Sequence, residues 1–542
     1  MLPLTVYVPL AVVLYAGLRL MLRVLRPPFA NLPGPSAQSF FAGNLIQLFE
    51  PNAWGFHKHL IETYGPVARL SGLAGRPVLH VCDPKALQSI LVKDSEKFLR
   101  SPESRATASV VVGPGLFQTS GDRHKRQRKM LMPVFSGAHM RDLTPMFIEV
   151  TDRLKLAIET RIRDGTMSFD VNSWLARTAL ELVGQGGLGT SLDPLTKDTS
   201  TPWTDAVKGL STAGSKMRHL RGLLPYILPL GPAWLRGYLV DFVPLKALHD
   251  AKAHIYAVHG GCVDLLDSKR AALQRGDEET VRLMGEGKDV MSLLLKANML
   301  ASEEDRLPED ELLAQMGTFI IAGSDTTSNA LSRTLQLLSD HPDVQDKLRV
   351  ELRQAYEMFG TGISYDEINK LDYLDAVCRE TLRLHPPVAF ASRESVSDAV
   401  IPLSEPVRGK DGSSITEIPV PKGTSLFLNL AACNEAKALW GEDAEEWKPE
   451  RWLKPLPRAV EEARIPGIYS NLMTFLAGSY SCIGFKFSQL EMKVVLYLLV
   501  SAFTFKRGET PIFWSFAGIA YPTTGKKGDK PQLWLDISLA PS

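Results

Sequence analysis

The chain's clearest helical pattern runs from about Glu309 to Ser339, with Pro308 near its start and His341-Pro342 ending it. Proline fixes φ and cannot sit inside a regular helix, so these borders are firm. At ~1.5 Å per residue such a helix spans over ~40 Å, the width of a domain. Short strand-like runs, Pro77–Val81 and Ser425–Asn429, lie among other long helical patterns. The expected fold is therefore mainly α with a minor β part. Inside the long helix stands Ala322-Gly323-Ser324-Asp325-Thr326-Thr327. A glycine and an acid–hydroxyl run are locally unfavourable there, and mid-helix Ser and Thr can divert backbone hydrogen bonds and bend the helix. Such a break suits a reaction that needs a groove beside the helix and a hydroxyl to steer protons. The alternative is a kinked helix whose hydroxyls satisfy themselves.

A second string, Phe475-Leu-Ala-Gly-Ser-Tyr-Ser-Cys-Ile-Gly484, places Cys482 after a glycine-containing turn and before an apolar helical run ending at Val500. A sulfur at a helix N-terminus meets free N–H groups and the positive end of the helix dipole, which favour thiolate. Glycines beside it let backbone approach a flat cofactor. The competing reading is a buried structural cysteine.

The chain has 542 residues, is 45% hydrophobic and carries a formal net charge of +1, so its overall charge makes no case for nucleic acid. The five cysteines, Cys82, Cys262, Cys378, Cys433 and Cys482, are odd in number and widely spaced. That pattern argues against a disulfide framework or a structural zinc site and suits a reducing compartment. Residues 1–22 are long and apolar enough to cross a bilayer, which takes about 20 residues. Arg19, Arg23 and Arg26 crowd the C-terminal side of this run, and no Lys or Arg precedes it. By the positive-inside rule the body lies in the cytosol; a cleaved signal peptide is the alternative. Residues 23–43, with Pro27, Pro28, Pro33 and Pro35, read as a stiff hinge. The body then runs from 44 to 542. Pro225, Pro229, Pro232 and Pro244 break the apolar segment Leu220–Leu245. It reads either as short helices dipping into a membrane or as an ordinary buried helical pair.

The cysteine string resembles the haem-binding signature of the cytochrome P-450 superfamily, F-x-x-G-x-R-x-C-x-G. Phe475, Gly478, Cys482 and Gly484 match, while Tyr480 stands where that family usually has arginine. The long-helix string resembles the family's [AG]-G-x-[DE]-T-[TS] motif at every position. Glu380-Thr-Leu-Arg383 and Pro449-Glu-Arg-Trp452 resemble its E-x-x-R and P-E-R-[FW] elements, and His124-Lys-Arg-Gln-Arg128 its W-x-x-x-R segment with histidine for tryptophan. Asn434 falls where many members have histidine, and the polar stretch Ile401–Glu417 reads as variable surface.

The resemblance implies the cytochrome P-450 fold behind one N-terminal transmembrane helix. It implies haem b bound to iron through the Cys482 thiolate, a ligand that favours O–O cleavage. It assigns proton delivery to Asp325 and Thr326, and oxygen-pocket space to Ala322 and Gly323. It gives the haem propionates to His124, Arg128 and Arg393, which suits charge-assisted hydrogen bonds. Uncharged Tyr480 then implies weaker haem retention than arginine there. Glu380, Arg383 and Arg451 become a buried structural triad. Substrate would meet Val111, Phe117, Phe319, Ile320, Val388, Phe390 and Ile519. Lys125, Arg126, Lys129, Lys486 and Lys493 would form a basic docking face for an acidic flavoprotein.

The implied activity is monooxygenation of a C–H bond in a lipophilic small molecule. Electrons would come from NADPH through a separate cytochrome reductase, with cytochrome b5 as an additional donor, since no room for flavin domains follows Cys482. The expected place is the endoplasmic reticulum membrane, single-pass, with the catalytic domain cytosolic. The segment Ser481–Ser488 suggests a fungal member acting in secondary metabolism on a terpenoid, sterol or polyketide. Two rivals are a haem-thiolate isomerase or dehydratase acting on peroxides and a non-catalytic membrane haem or sterol carrier.

Overall fold

A helix from Glu309 to Asp340 runs through the centre of the computed structural model, which describes residues 29–195, 201–275, 288–525 and 530–541. Its buried face, including Leu312, Met316, Ile320, Leu331, Leu335 and Leu338, belongs to one continuous core. It packs against helices Val171–Leu182, Asp372–Leu384 and Phe485–Ala502. In the last of these every residue from Leu490 to Val500 is buried, the mark of a helix enclosed on all sides. Lys493 lies in that run. It ion-pairs with Asp375 at 2.7 Å and donates to Asn369 at 2.8 Å, so it is no part of the basic docking face expected of it.

The β part is small. One five-stranded sheet runs Val67–Ser71, Pro77–Val81, Ser425–Asn429, Phe390–Ser395, Phe98–Leu99 in spatial order. The two strands expected from sequence sit side by side in it, parallel, with Val78 opposite Ser425. A satellite core under this sheet gathers Leu48, Leu60, Phe390, Phe427 and Phe516 round the buried ring of His57. Burial pushes the His57 imidazole down to about 4, so it stacks as a neutral aromatic. Phe390 is therefore core in this cluster rather than substrate lining, and Ile320 likewise lies in the main core. Val111, Phe117, Phe319, Val388 and Ile519 keep partial exposure.

Residues Ile401–Glu417 are not loose surface. They form a hairpin, Ala399–Arg408 with Ser414–Val420, whose Ile401, Leu403, Val407 and Ile418 enter the core. The alternation along Ala399–Arg408 that hides its apolar face is broken by a bulge between Pro402 and Val407.

The membrane helix expected over 1–22, and hinge residues 23–28, lie outside the described residues. Among the described residues no helix is long and apolar enough to cross a membrane. The described end of the hinge is bonded to the body. Leu32 is buried, the Arg69 N–H donates to the Pro33 carbonyl at 3.0 Å, and Asn31 braces the hairpin turn at Lys410–Ser413. The segment Leu220–Leu245 forms short helices, Leu224–Ile227 and Ala233–Val240, with no buried residue in either. Trp234 and Phe242 are 73% and 68% exposed, which rules out the buried-pair reading.

Candidate active site

The cysteine string folds as two tight turns. Met473–Phe475 and Gly478–Tyr480 are each one 3₁₀ turn, joined through Leu476 at φ 60 and ψ −167. That backbone region is nearly glycine's alone and costs of order 1–3 kcal/mol. The leucine there is a strained link that sequence reading missed. The Cys482 N–H donates to the Phe475 carbonyl at 2.9 Å and the Ser481 N–H to that of Gly478 at 3.1 Å, closing the loop on itself. Phe475 is buried between Tyr469 and Phe485. Gly478 takes φ +65, and a Cβ there would stand 2.0 Å from the Leu91 carbonyl oxygen. Gly478→Ala should therefore cost at least about 2 kcal/mol through strain and overpacking. A lower thermal midpoint and poorer haem incorporation are the expected readings.

Gly484 caps the N-terminus of Phe485–Ala502, so Cys482 stands just before that helix, as expected. Its side chain is exposed, unlike those of the other four cysteines. Dense protein on its other sides still pushes the thiol up, against the Gly484 N–H and the Arg128 charge, which pull it down. The sulfur has an open front and a packed wall behind it. The Gly484 N–H at the helix start favours thiolate as expected, and burial opposes it. A metal cation held by Cys482 would favour the thiolate, because coordination deprotonates a thiol.

Three arginines and a histidine converge beside this loop. Arg128, on the helix Gly121–Leu131, forks onto Ser481, donating from Nη1 to the carbonyl at 2.7 Å and from Nη2 to Oγ at 2.9 Å. Arg393 is buried on its strand, with Nε and Nη2 lacking any partner. His124 is buried with Nε2 unpartnered, and its ring lies 4.4 Å from that of Tyr480. The fourth, Arg100, was not expected from sequence. It follows the two-residue strand Phe98–Leu99, whose register sets Leu99 opposite Glu394, so the next position brings Arg100 beside Arg393. Nothing local marks it, since the pairing strand lies almost three hundred residues away.

Burial, then the neighbouring Arg100 charge, pushes the Arg393 guanidinium down to about 9. Burial, then Arg100, Arg128 and Arg393, pushes His124 down to about 4. At neutral pH the arginines stay charged and His124 is neutral. The titratable groups acting on these four are one another, Tyr480 and Cys482; among the described residues no carboxylate is among them. The two unpartnered N–H groups of buried Arg393, set beside the like charge of Arg100, are costly, and they fit a group that brings its own carboxylates. Haem, with two propionates, is such a group. Arg100, His124, Arg128 and Arg393 would hold those carboxylates, and Cys482 the iron.

The long helix presents its broken stretch toward the same place. Phe319, Ala322 and Thr326 are half-exposed at i, i+3 and i+7, one stripe of the helix. The Phe135 ring meets Phe319 at 5.7 Å and would lie 3.8 Å from a Cβ on Gly484. Thr327 Oγ1 lies 3.1 Å from Ser488 Oγ on the last helix. Thr326 Oγ1 donates to the Ala322 carbonyl at 2.7 Å, leaving its lone pairs to accept. Gly323 points elsewhere: a Cβ on it would meet Val183 Cγ2 at 2.5 Å. Its smallness serves helix packing, not the space expected of it beside the reacting oxygen.

Glu380, Arg383 and Arg451 form the expected buried triad. Arg383 grips both Glu380 oxygens at 2.8 Å, and Arg451 reaches Oε1 at 3.4 Å. Asn434 explains its own departure from the family pattern. Its Oδ1 accepts from the Met473 N–H at 2.7 Å, and its Nδ2 donates to Thr474 Oγ1 at 2.9 Å. One amide thereby clips the end of the short helix Leu430–Asn434 to the start of the cysteine loop. On the outer face Lys125 and Lys129 are exposed, whereas Arg126 is drawn onto the buried Glu311 at 3.0 Å.

The family model for cytochrome P-450 matches residues 32–523. The chain is 49% identical over 520 residues to cytochrome P-450 monooxygenase 91 of Postia placenta, covering 96% of each. It is 47% identical over 521 residues to a ganoderic acid synthetase of Ganoderma lucidum, covering 95% of this chain and 94% of that protein. A monooxygenase of Hericium erinaceus is 34% identical over 540 residues, covering 98% of this chain and 97% of that one.

Proposed function

This chain belongs to the cytochrome P-450 family and is a haem-thiolate monooxygenase, and on that premise we propose that it hydroxylates a lipophilic small molecule of fungal secondary metabolism. The observation that carries this reading is the facing of Cys482 and its cation cluster by the half-exposed stripe Phe319–Ala322–Thr326, with Phe135 touching both sides. Bound haem supplies the reductive activation of O₂. Phe319, Val388 and Ile519 offer apolar surface to a substrate. Thr326 Oγ, held to its own helix, accepts from a water that it aligns, and Asp325 delivers the proton. That a similar protein of Ganoderma lucidum is named a ganoderic acid synthetase supports a small-molecule natural product as substrate, and within that class a terpenoid, sterol or polyketide is our reading.

Electrons come from NADPH through a separate reductase, with cytochrome b5 as an additional donor. Exposed Lys125 and Lys129, on the helix that carries Arg128, pair at the surface with Asp122 and Asp305 and could exchange those weak pairs for an acidic partner. Residues 1–22 anchor the chain in the endoplasmic reticulum, single-pass, with the body cytosolic. The exposed apolar surface supports a second membrane contact. The Arg76 guanidinium donates to the Tyr226 hydroxyl, and the Ala74 N–H to the Phe41 carbonyl, so Phe41, Leu73 and Tyr226 adjoin the patch with Trp234 and Phe242.

Incubation with a reductase, NADPH and a panel of terpenoids and sterols tests the reading. Product that requires O₂ and NADPH supports it; product formed from a peroxide without either would favour an isomerase. Thr326→Ala should still bind haem and consume NADPH but release peroxide, with product per NADPH falling about 10-fold or more. If Thr326 serves only the helix backbone, as mid-helix threonines can, that ratio stays at the wild-type value and the proton role falls.

A further inference from the structure

The two departures from the family's haem-contact pattern, His124 and Tyr480, meet in space. Their rings lie 4.4 Å apart with planes inclined by 36°. Tyr480 is also buried beside two guanidinium groups: Arg100, which donates from Nη1 to the Phe117 carbonyl at 2.7 Å, lies 5.2 Å from its ring centroid and Arg393 5.3 Å. Those arginines are adjacent across the Phe98–Leu99 ladder, where like charges repel. Each is attracted to the face of the same ring. The ring thus supplies attraction at the spot where the family's arginine would add a further cation to Arg100, Arg128 and Arg393.

We propose that Tyr480, backed by His124, is a positioning residue for the haem carboxylates: an aromatic plate that holds Arg100 and Arg393 oriented toward them. The proposal rests on the haem reading above. It reverses the simple expectation that the missing charge at position 480 weakens haem retention. In this chain the lost arginine is already replaced by Arg100, and what the site needs at 480 is a ring. The two unpartnered N–H groups of Arg393 are the donors this plate would aim.

Haem transfer to excess apomyoglobin, followed by absorbance, reads the release rate without any turnover. Tyr480→Phe should release haem at nearly the wild-type rate, because the ring and not the hydroxyl holds the guanidiniums. Tyr480→Leu should release it about 10-fold faster, equal to about 1.4 kcal/mol. Tyr480→Arg, which restores the family's residue, should also release haem faster, and Arg100→Gln added to it should slow release again by removing one crowded charge. Thermal midpoints of the haem-free variants separate a folding defect from a binding one. A Tyr480→Arg variant that keeps haem as long as the wild type, or longer, overturns the proposal. So does a Tyr480→Phe variant as leaky as Tyr480→Leu. A wild type that takes up no haem would instead sink the reading underneath.

Discussion

Cys482→Ala is expected to abolish the red-shifted Soret band of the ferrous carbonyl complex and all product formation. No other cysteine can stand in. Cys82, Cys262, Cys378 and Cys433 are buried, and burial pushes the first three up to about 12 and the fourth well above the ordinary thiol range. Cys482 alone is exposed, and it alone has both an N–H group, from Gly484, and a guanidinium, from Arg128, acting to lower it. Alanine removes one small atom and its contact with the Gly484 N–H, and leaves the backbone hydrogen bonds that close the loop intact. The variant should therefore fold and fail only as a thiolate ligand. Carbon monoxide difference spectra on purified protein are the check, and a surviving red-shifted band would reject the assignment.

What could be read from sequence was what is written in consecutive residues. The long helix ends within one residue of its expected border because prolines and periodicity are local. The two strands fall where β-branched and apolar runs put them. Cys482, Arg128 and Arg393 converge as the family pattern implies. What could not be read depends on partners distant in the chain. Arg100 acquires its meaning only by lying beside Arg393. Lys493 looks like any surface lysine until Asp375 and Asn369 enclose it. Gly323 and Gly478 are both small residues in motifs, yet one packs on Val183 and the other under the Leu91 carbonyl. Tyr480 shows the point most clearly. As a letter in a motif it is a missing charge, and in the fold it is a ring beside two charges.

Glu380→Gln should leave little soluble, haem-loaded protein. The Glu380 carboxylate is completely buried and accepts from Arg383 twice, from Arg451, from the Lys448 N–H and from Trp452 Nε1. Glutamine keeps the shape but loses the charge, and its amide places a donor where these donors converge. Arg383 stays buried with its cation unmatched, although it also donates to the Asn434, Ala444 and Glu446 carbonyls. Breaking a buried pair in this way costs about 3–5 kcal/mol, against a whole-domain stability of about 5–15 kcal/mol. The loss would not stay local. Asn434, whose carbonyl Arg383 holds, is the residue that clips Met473 and Thr474 ahead of the cysteine loop. Loosening the triad therefore loosens the loop that carries Cys482, some hundred residues further along the chain. Thermal unfolding should show a midpoint lower by several degrees, with haem lost before the rest of the fold. If haem and the secondary structure instead melt together at the wild-type midpoint, the triad does not anchor the loop.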